Sequence, residues 1–270
     1  MRGALLLSLL LIFLLFFHSH VFASFISIDT NVSASVNKDI ITVDCKVANK
    51  GDEPAHKVEI EADFTEKKFI SPLENILPAG SSINRQFKFS PKAAFSRIVI
   101  PLTIRYKDAN QYAFSAISYT DIKSSTDELS TIICKIEDSS ISKKGKLVLK
   151  IKSLDQNTHS LSLRIVAPAE LTVLPLQKTV SVPKDNQINE MFEIENFSAI
   201  APSSYTILAI VSEKRDSGSY DEAFIGKVSV TPEKQWFDFL SKPYLIWSLI
   251  VIFVLYAAYQ IFHRRINKAK

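Results

Sequence analysis

The sequence predicts an all-β protein built from two tandem β-sandwich domains and one carboxyl-terminal transmembrane helix. Three observations predict it. Apolar residues in the middle of the chain recur with a period of two. The order of these segments repeats at an offset of about 103 to 110 residues, the signature of a duplicated unit. The two most apolar runs occupy residues 4–17 and 244–262 of the 270.

At the amino end, Arg2 precedes ALLLSLLLIFLLFF, and Val21-Phe22-Ala23 before Ser24 fits the small-x-small rule for a signal peptidase. Residues 1–23 are read as a signal peptide cleaved between Ala23 and Ser24, with a retained anchor as the alternative. At the carboxyl end, the 19 residues of YLIWSLIVIFVLYAAYQIF carry no charge. At about 1.5 Å per residue they match the thickness of a bilayer's hydrocarbon. Trp236, Phe237, Phe239, Tyr244 and Trp247 form an aromatic membrane-interface belt, and Arg264, Arg265, Lys268 and Lys270 form a basic stub that sets the topology. The expected arrangement is single-pass, with the bulk of the chain extracytoplasmic and the tail 263–270 in the cytoplasm. Residues 233–243 make an aromatic juxtamembrane segment.

Strands are expected wherever alternation is clean. IITVDCKVA puts Ile41, Val43, Cys45 and Val47 on one face, HKVEIEADF puts Val58, Ile60, Ala62 and Phe64 inward, and RIVIPLTIRY does the same with Ile98, Ile100, Leu102 and Ile104. The first unit then runs through Leu77-Pro78-Ala79-Gly80, QFKF, IVIPLTIRY, a DANQY turn and AFSAIS. The second runs in the same order through KLVLKIK, His159-Ser160-Leu161, Ser181-Val182-Pro183, MFEI, SYTILAIVS, a DSGSY turn and EAFIGKVSV. The polar stretch 121–128 separates them, giving expected domains 24–121 and 122–232; a single larger all-β domain is the alternative.

The first unit, through VANKGDEPAHKVEIEADF and LPAGSSINRQFKF, resembles the CARDB, NEW3 and DUF11-like Ig-like modules of extracytoplasmic proteins. The resemblance implies an Ig-like sandwich, with Gly51 and Gly80 at positive φ in tight connections and Pro54 and Pro78 where the chain crosses between sheets. The second unit lacks these glycines, and Tyr205 stands where many sandwiches place a tyrosine corner. The layout of signal peptide, Ig-like module, one helix and short basic tail is also similar to the beta subunit of the translocon-associated protein complex, which has one such module. Asn31-Val32-Ser33 and Asn196-Phe197-Ser198 are sequons, acceptors for glycan only in a eukaryotic secretory pathway.

Removing Arg2 and the four tail cations from the formal charge of +4 leaves the exported part at −1. Such a surface has no electrostatic footprint for nucleic acid, so no nucleic-acid partner is expected. Cys45 and Cys134 share strand faces with aliphatic residues and are read as core thiols without a disulfide, ahead of an interdomain bridge or a reactive thiol. His56 and His159 begin equivalent strands, too far apart to share a metal. Asp216, Asp221 and Glu222 are read as a solvated hairpin in preference to a weak calcium site, and Glu59, Glu61 and Asp63 as outward-facing acids. Neither a catalytic residue nor a cofactor nor a metal is expected. The expectation is a non-enzymatic accessory, scaffold or adhesion-type subunit of a cell-envelope assembly, with the lipid bilayer and a membrane or envelope protein as partners. A translocon-associated subunit and a carbohydrate-binding surface protein are the alternatives.

Overall fold

The structure, a computed structural model, describes residues 25–64, 67–91, 93–124, 129–233, 247–248 and 250–259. The chain is mostly β, and its sheets pack as sandwiches. The strands of the first half are β1 (Ile28–Asn37), β2 (Ile40–Asn49), β3 (Ala55–Phe64), β4 (Lys67–Ile70), β5 (Glu74–Leu77), β6 (Ser82–Phe89), β7 (Phe95–Lys107) and β8 (Ala113–Lys123). Those of the second are β9 (Ile132–Ile136), β10 (Ser139–Ile141), β11 (Lys144–Ser153), β12 (His159–Val166), β13 (Leu171–Leu174), β14 (Gln177–Val182), β15 (Gln187–Asn196), β16 (Ser203–Arg215) and β17 (Gly218–Val230).

The topology occurs twice. A sheet ordered β1-β2-β6 faces β8-β7-β3 in the first half, and β9-β11-β15 faces β17-β16-β12 in the second, each pairing antiparallel. Two strands depart from the repeat: β13 pairs with β15, and β10 lies parallel to the end of β17. Each half closes over its own core. Ile41, Val43, Cys45 and Val47 of β2 meet Val58, Ile60 and Ala62 of β3 in one. In the other, Leu147, Leu149 and Ile151 of β11 meet Leu161 and Leu163 of β12. Fully burying each such aliphatic side chain stabilises by about 1.5–3 kcal/mol. Ile122 belongs to the first core and β8 runs on to Lys123, so the first half extends slightly beyond residue 121.

Turn chemistry explains most of the connections. Lys38 and Asp39 both take positive φ in the two-residue hairpin between β1 and β2, which matches the right-handed twist of the flanking strands. Pro54 and Pro78 stand where the chain passes between the two sheets of the first half, since β3 and β5 belong to one sheet and β2 and β6 to the other. Gly80 has φ +73 as expected, but Gly51 does not lie in the left-handed region. Its requirement is space, because a Cβ there would fall 2.1 Å from the carbonyl oxygen of Phe25, where the entering chain lies against the β2–β3 turn.

The halves are not separate beads. A ten-stranded sheet runs β14-β12-β16-β17-β7-β3-β4 through both, joined where the start of β17 pairs in parallel with the start of β7, Ser219 opposite Phe95 and Tyr220 opposite Arg97. A third apolar cluster of Val99, Leu208 and Ile210, with Ile117, Tyr119 and Val166 against it, fills the angle between them. Gly218 is built for this junction, with φ +123 and a Cβ position 2.3 Å from the carbonyl oxygen of Ala94. Gly218→Ala is therefore expected to destabilise by about 2 kcal/mol, from strained φ and forced separation of the two strands. Chemical denaturation checks it, and Gly80→Ala, with nothing within 4 Å of its Cβ position, isolates the φ contribution.

Candidate functional site

The richest polar constellation lies along this seam. Arg97 on β7 donates from Nε to Asp121 Oδ2 at 2.8 Å, within its own half, and from Nη1 to Glu222 Oε1 at 2.9 Å in the other. Glu222 also accepts from Ser130 Oγ at 2.5 Å. Asp221 accepts from the Val99 amide at 3.4 Å, and the Ser96 and Ser217 hydroxyls stand 2.9 Å apart. The expectation of a solvated hairpin holds for the exposed Asp216 but is corrected for Glu222, which is 8% exposed where the first half meets that end of β17. Tyr220, also buried, carries the Arg215 guanidinium 3.7 Å above its ring, a cation–π contact. Farther along, Glu170 at 2% exposure reaches across to the Ser115 amide at 2.7 Å and hydroxyl at 2.5 Å.

A groove of about 390 Å³ opens beside the seam, with Glu61, Pro101, Arg105, Arg164 and Leu176 on its walls. Arg164 bridges the halves to Asp63 at 2.7 Å. Glu61 does not point into open water as its alternation suggested. Burial tends to raise its pKa, but Lys68 and Arg105, each at 2.8 Å, outweigh burial and hold it below the usual carboxylate range. Paired acids of this kind supply charge balance and hold no proton to transfer near neutral pH.

His159, at the start of β12, has 6% of its surface exposed and lies between two carboxylates: Nδ1 is 2.5 Å from Glu213 Oε1 and Nε2 is 2.7 Å from Asp155 Oδ1. Burial works to lower the imidazole pKa, but the bonds to Glu213 and Asp155 and their charges reverse this, and the net direction is upward. Glu213, raised by burial but lowered more by His159 and Arg215, ends below its ordinary value. Asp155 is also lowered, first by the His159 bond and then by the Asn157 amide. The cationic histidine's contribution is full below its unfolded pKa of about 6.5 and fades as pH rises through the raised folded value. The carboxylates' contribution is full above their unfolded values of about 3.9 and 4.3 and fades as pH falls through their depressed values. Stability is thus expected to be greatest near pH 5 to 6 and to decline on both sides. Denaturation midpoints across pH check this, and His159→Gln should flatten the alkaline limb. Among the described residues no group of three or more His, Cys, Asp or Glu is arranged to hold a metal ion.

Cys45 and Cys134 are buried free thiols in different cores, pushed by burial to about 11 and about 12 respectively. Asn31 is exposed on β1. Asn196 is not presented in that way, since its Nδ2 donates to Ser142 O at 3.2 Å and Ala199 O at 3.0 Å while its Oδ1 accepts from the Ala199 amide at 2.7 Å. A glycan at Asn196 would take one of the two Nδ2 hydrogens and so remove at least one of the donated bonds. Folded protein from a eukaryotic secretory host is expected to carry glycan at Asn31 and not at Asn196, as glycopeptide mass spectrometry would read.

Ala23, Ser24, Trp236, Phe237, Phe239, Tyr244, Arg264, Arg265, Lys268 and Lys270 lie outside the described residues, as do the signal segment and most of the juxtamembrane segment. Of the belt, Trp247 is described, helical and 66% exposed. Among the described residues no helix is long and apolar enough to cross a membrane; the helical residues are 247–248 and 250–259, a part of the expected 244–262 span.

No family model matches the chain, and no curated protein matches it. Solved structures with similar regions include the native conformation of Escherichia coli alpha-2-macroglobulin, at 9% identity and TM-score 0.31 over 77% of this chain and 17% of that one. WR4, a C. elegans MSP family member, matches at 14% and 0.28 over 38% of this chain and all of that one. Red sea bream transglutaminase matches at 12% and 0.27, over 78% and 31% respectively. The chain thus spans under a third of the macroglobulin and of the transglutaminase.

Proposed function

We propose that this is a non-enzymatic, single-pass membrane protein that presents a joined pair of Ig-like sandwiches outside the cytoplasm as an accessory or scaffold subunit of a membrane assembly. The observation that carries the reading is the bare apolar helix near the carboxyl end. Ile252, Phe253, Val254 and Leu255 follow one another on it at 59–73% exposure. A helix apolar on every side is stable in lipid or in a core, and nothing in the described residues covers this one. The 19-residue uncharged run around it and the basic residues beyond add to the argument.

The seam supports the scaffold part of the proposal. Two sandwiches joined by a shared sheet, a third core and buried ion pairs hold a fixed mutual angle, which suits a part that positions other components. The paired state of the buried acids supports a role without acid–base chemistry. Crosslinking in native membranes followed by purification of the full-length protein tests it, with a variant lacking residues 243–270 for comparison. The expected result is a stoichiometric membrane-protein partner that disappears with the deletion. Recovery without a partner, or with glycans that the shortened protein also retains, would contradict the proposal.

A further inference from the structure

Following the strands shows which end of the double sandwich the flanking apolar segments approach. Phe25, the first described residue, is tied to the β2–β3 turn: its amide donates to Asp52 Oδ1 at 2.7 Å and its carbonyl accepts from the Asp52 amide at 3.1 Å. That turn leads into β3, where His56 pairs with Lys107, the last residue of β7. β17 starts level with β7 and pairs with it in parallel at Ser219 and Tyr220, so the two 13-residue strands set off in the same direction and Val230, where β17 ends, lies toward this same end. Pairing of Val230 with Ser203 brings the β15–β16 loop there too, and a cleft of about 260 Å³ unites Lys107, Phe114, Phe197 and Ser198. The chain therefore enters and leaves the sandwiches on one face, and the apolar run 244–262 follows the exit point after a short linker.

That face exposes large apolar side chains: Phe25 at 57%, Tyr112 at 60%, Phe197 at 78% and Ile200 at 52%. Its charges offset one another, with Lys50, Lys57 and Lys107 against Asp52, Glu53 and Asp108. Aromatic and aliphatic side chains of this kind, on a face turned toward a bilayer, settle in the headgroup and upper acyl region. The ten residues 234–243 could extend at most roughly 35 Å, so tethering alone would not force contact. We propose that this end of the sandwich pair docks on the membrane surface, with Phe197, Ile200 and Tyr112 inserted in the interface by apolar contact that does not depend on anionic lipid. This rests on the reading of residues 244–262 as a membrane span.

The test uses the full-length protein in vesicles of phosphatidylcholine and, separately, of equal parts phosphatidylcholine and phosphatidylglycerol. An environment-sensitive fluorophore is attached to a cysteine at one of three sites: Ile200→Cys on the docking face, Val36→Cys at the far β1–β2 hairpin, or Val254→Cys in the helix. The buried native thiols are expected not to label in the folded protein. Nitroxide lipids should quench the Ile200 probe at least about threefold more than the Val36 probe, equally in both lipids, as interfacial insertion requires. Phe197→Ser with Tyr112→Ser should reduce that quenching without changing circular dichroism. An Ile200 probe left in water while the Val254 probe is quenched overturns the docking and leaves the span intact. Both probes in water overturn the span, and docking falls with it. Quenching confined to the phosphatidylglycerol vesicles overturns apolar docking in favour of charge attraction.

Discussion

Arg97→Ala is expected to lower stability by about 3 kcal/mol, the scale for removing one member of a buried ion pair. The loss exceeds that of a surface pair because Glu222, at 8% exposure, would keep its charge with Ser130 as its main remaining donor. Asp121 would lose its guanidinium in the same step. Lysine should not restore the loss, since one ammonium cannot reproduce the Nε and Nη1 fork that spans both halves. A neutral Glu222→Gln in the Arg97→Ala background should recover part of it, because the stranded charge is then gone. Urea denaturation of the full-length protein in mild detergent measures these values. It should also show the single transition of the native seam broadening toward two.

Leu208→Ala is expected to cost about 3 kcal/mol, in the range for emptying a fully buried leucine site. Leu208 has no exposed surface, and it packs into the cluster between the halves, not into either sandwich. Leu163→Ala, equally buried but within the second core, should cost a similar amount. The two should differ in kind. Loss at Leu208 weakens coupling between the halves, whereas loss at Leu163 destabilises one half and leaves the seam contacts in place.

The strands were legible because each sandwich buries one face of most of them, which writes a period of two into the sequence. The repeat was legible for the same reason. The seam was written less plainly, and its signal is the run of apolar residues without alternation. Residues 98–102 in β7 and 207–211 in β16 are buried at every position, which requires cover on both faces. Simple alternation accounts for Ile98, Ile100 and Leu102 but not for the second contact surface that Val99, Leu208 and Ile210 make.

The polar half of the seam had no local signature at all. Arg97 and Glu222 are 125 positions apart, and Ser115 and Glu170 are 55 apart, so only the packing of the two halves against each other brings them together. His159 is an intermediate case. Asp155 four residues before it was a visible hint, but Glu213 comes from a strand 54 positions away, and His56 at the matching point of the first half has no such pair of acids. Gly51 shows the same limit, since its need for space arises from a segment that packs against it from 24 to 26 residues earlier.

The proposed arrangement, with sandwiches outside and tail inside, is tested most directly by the sidedness of two introduced thiols in native membranes. Ser33→Cys, on the exposed face of β1, and Lys268→Cys, in the basic tail, are each probed with a membrane-impermeant maleimide before and after permeabilisation. The account predicts labelling of Ser33→Cys from the extracytoplasmic side alone, and of Lys268→Cys from the cytoplasmic side alone. Labelling of both from one side would contradict it.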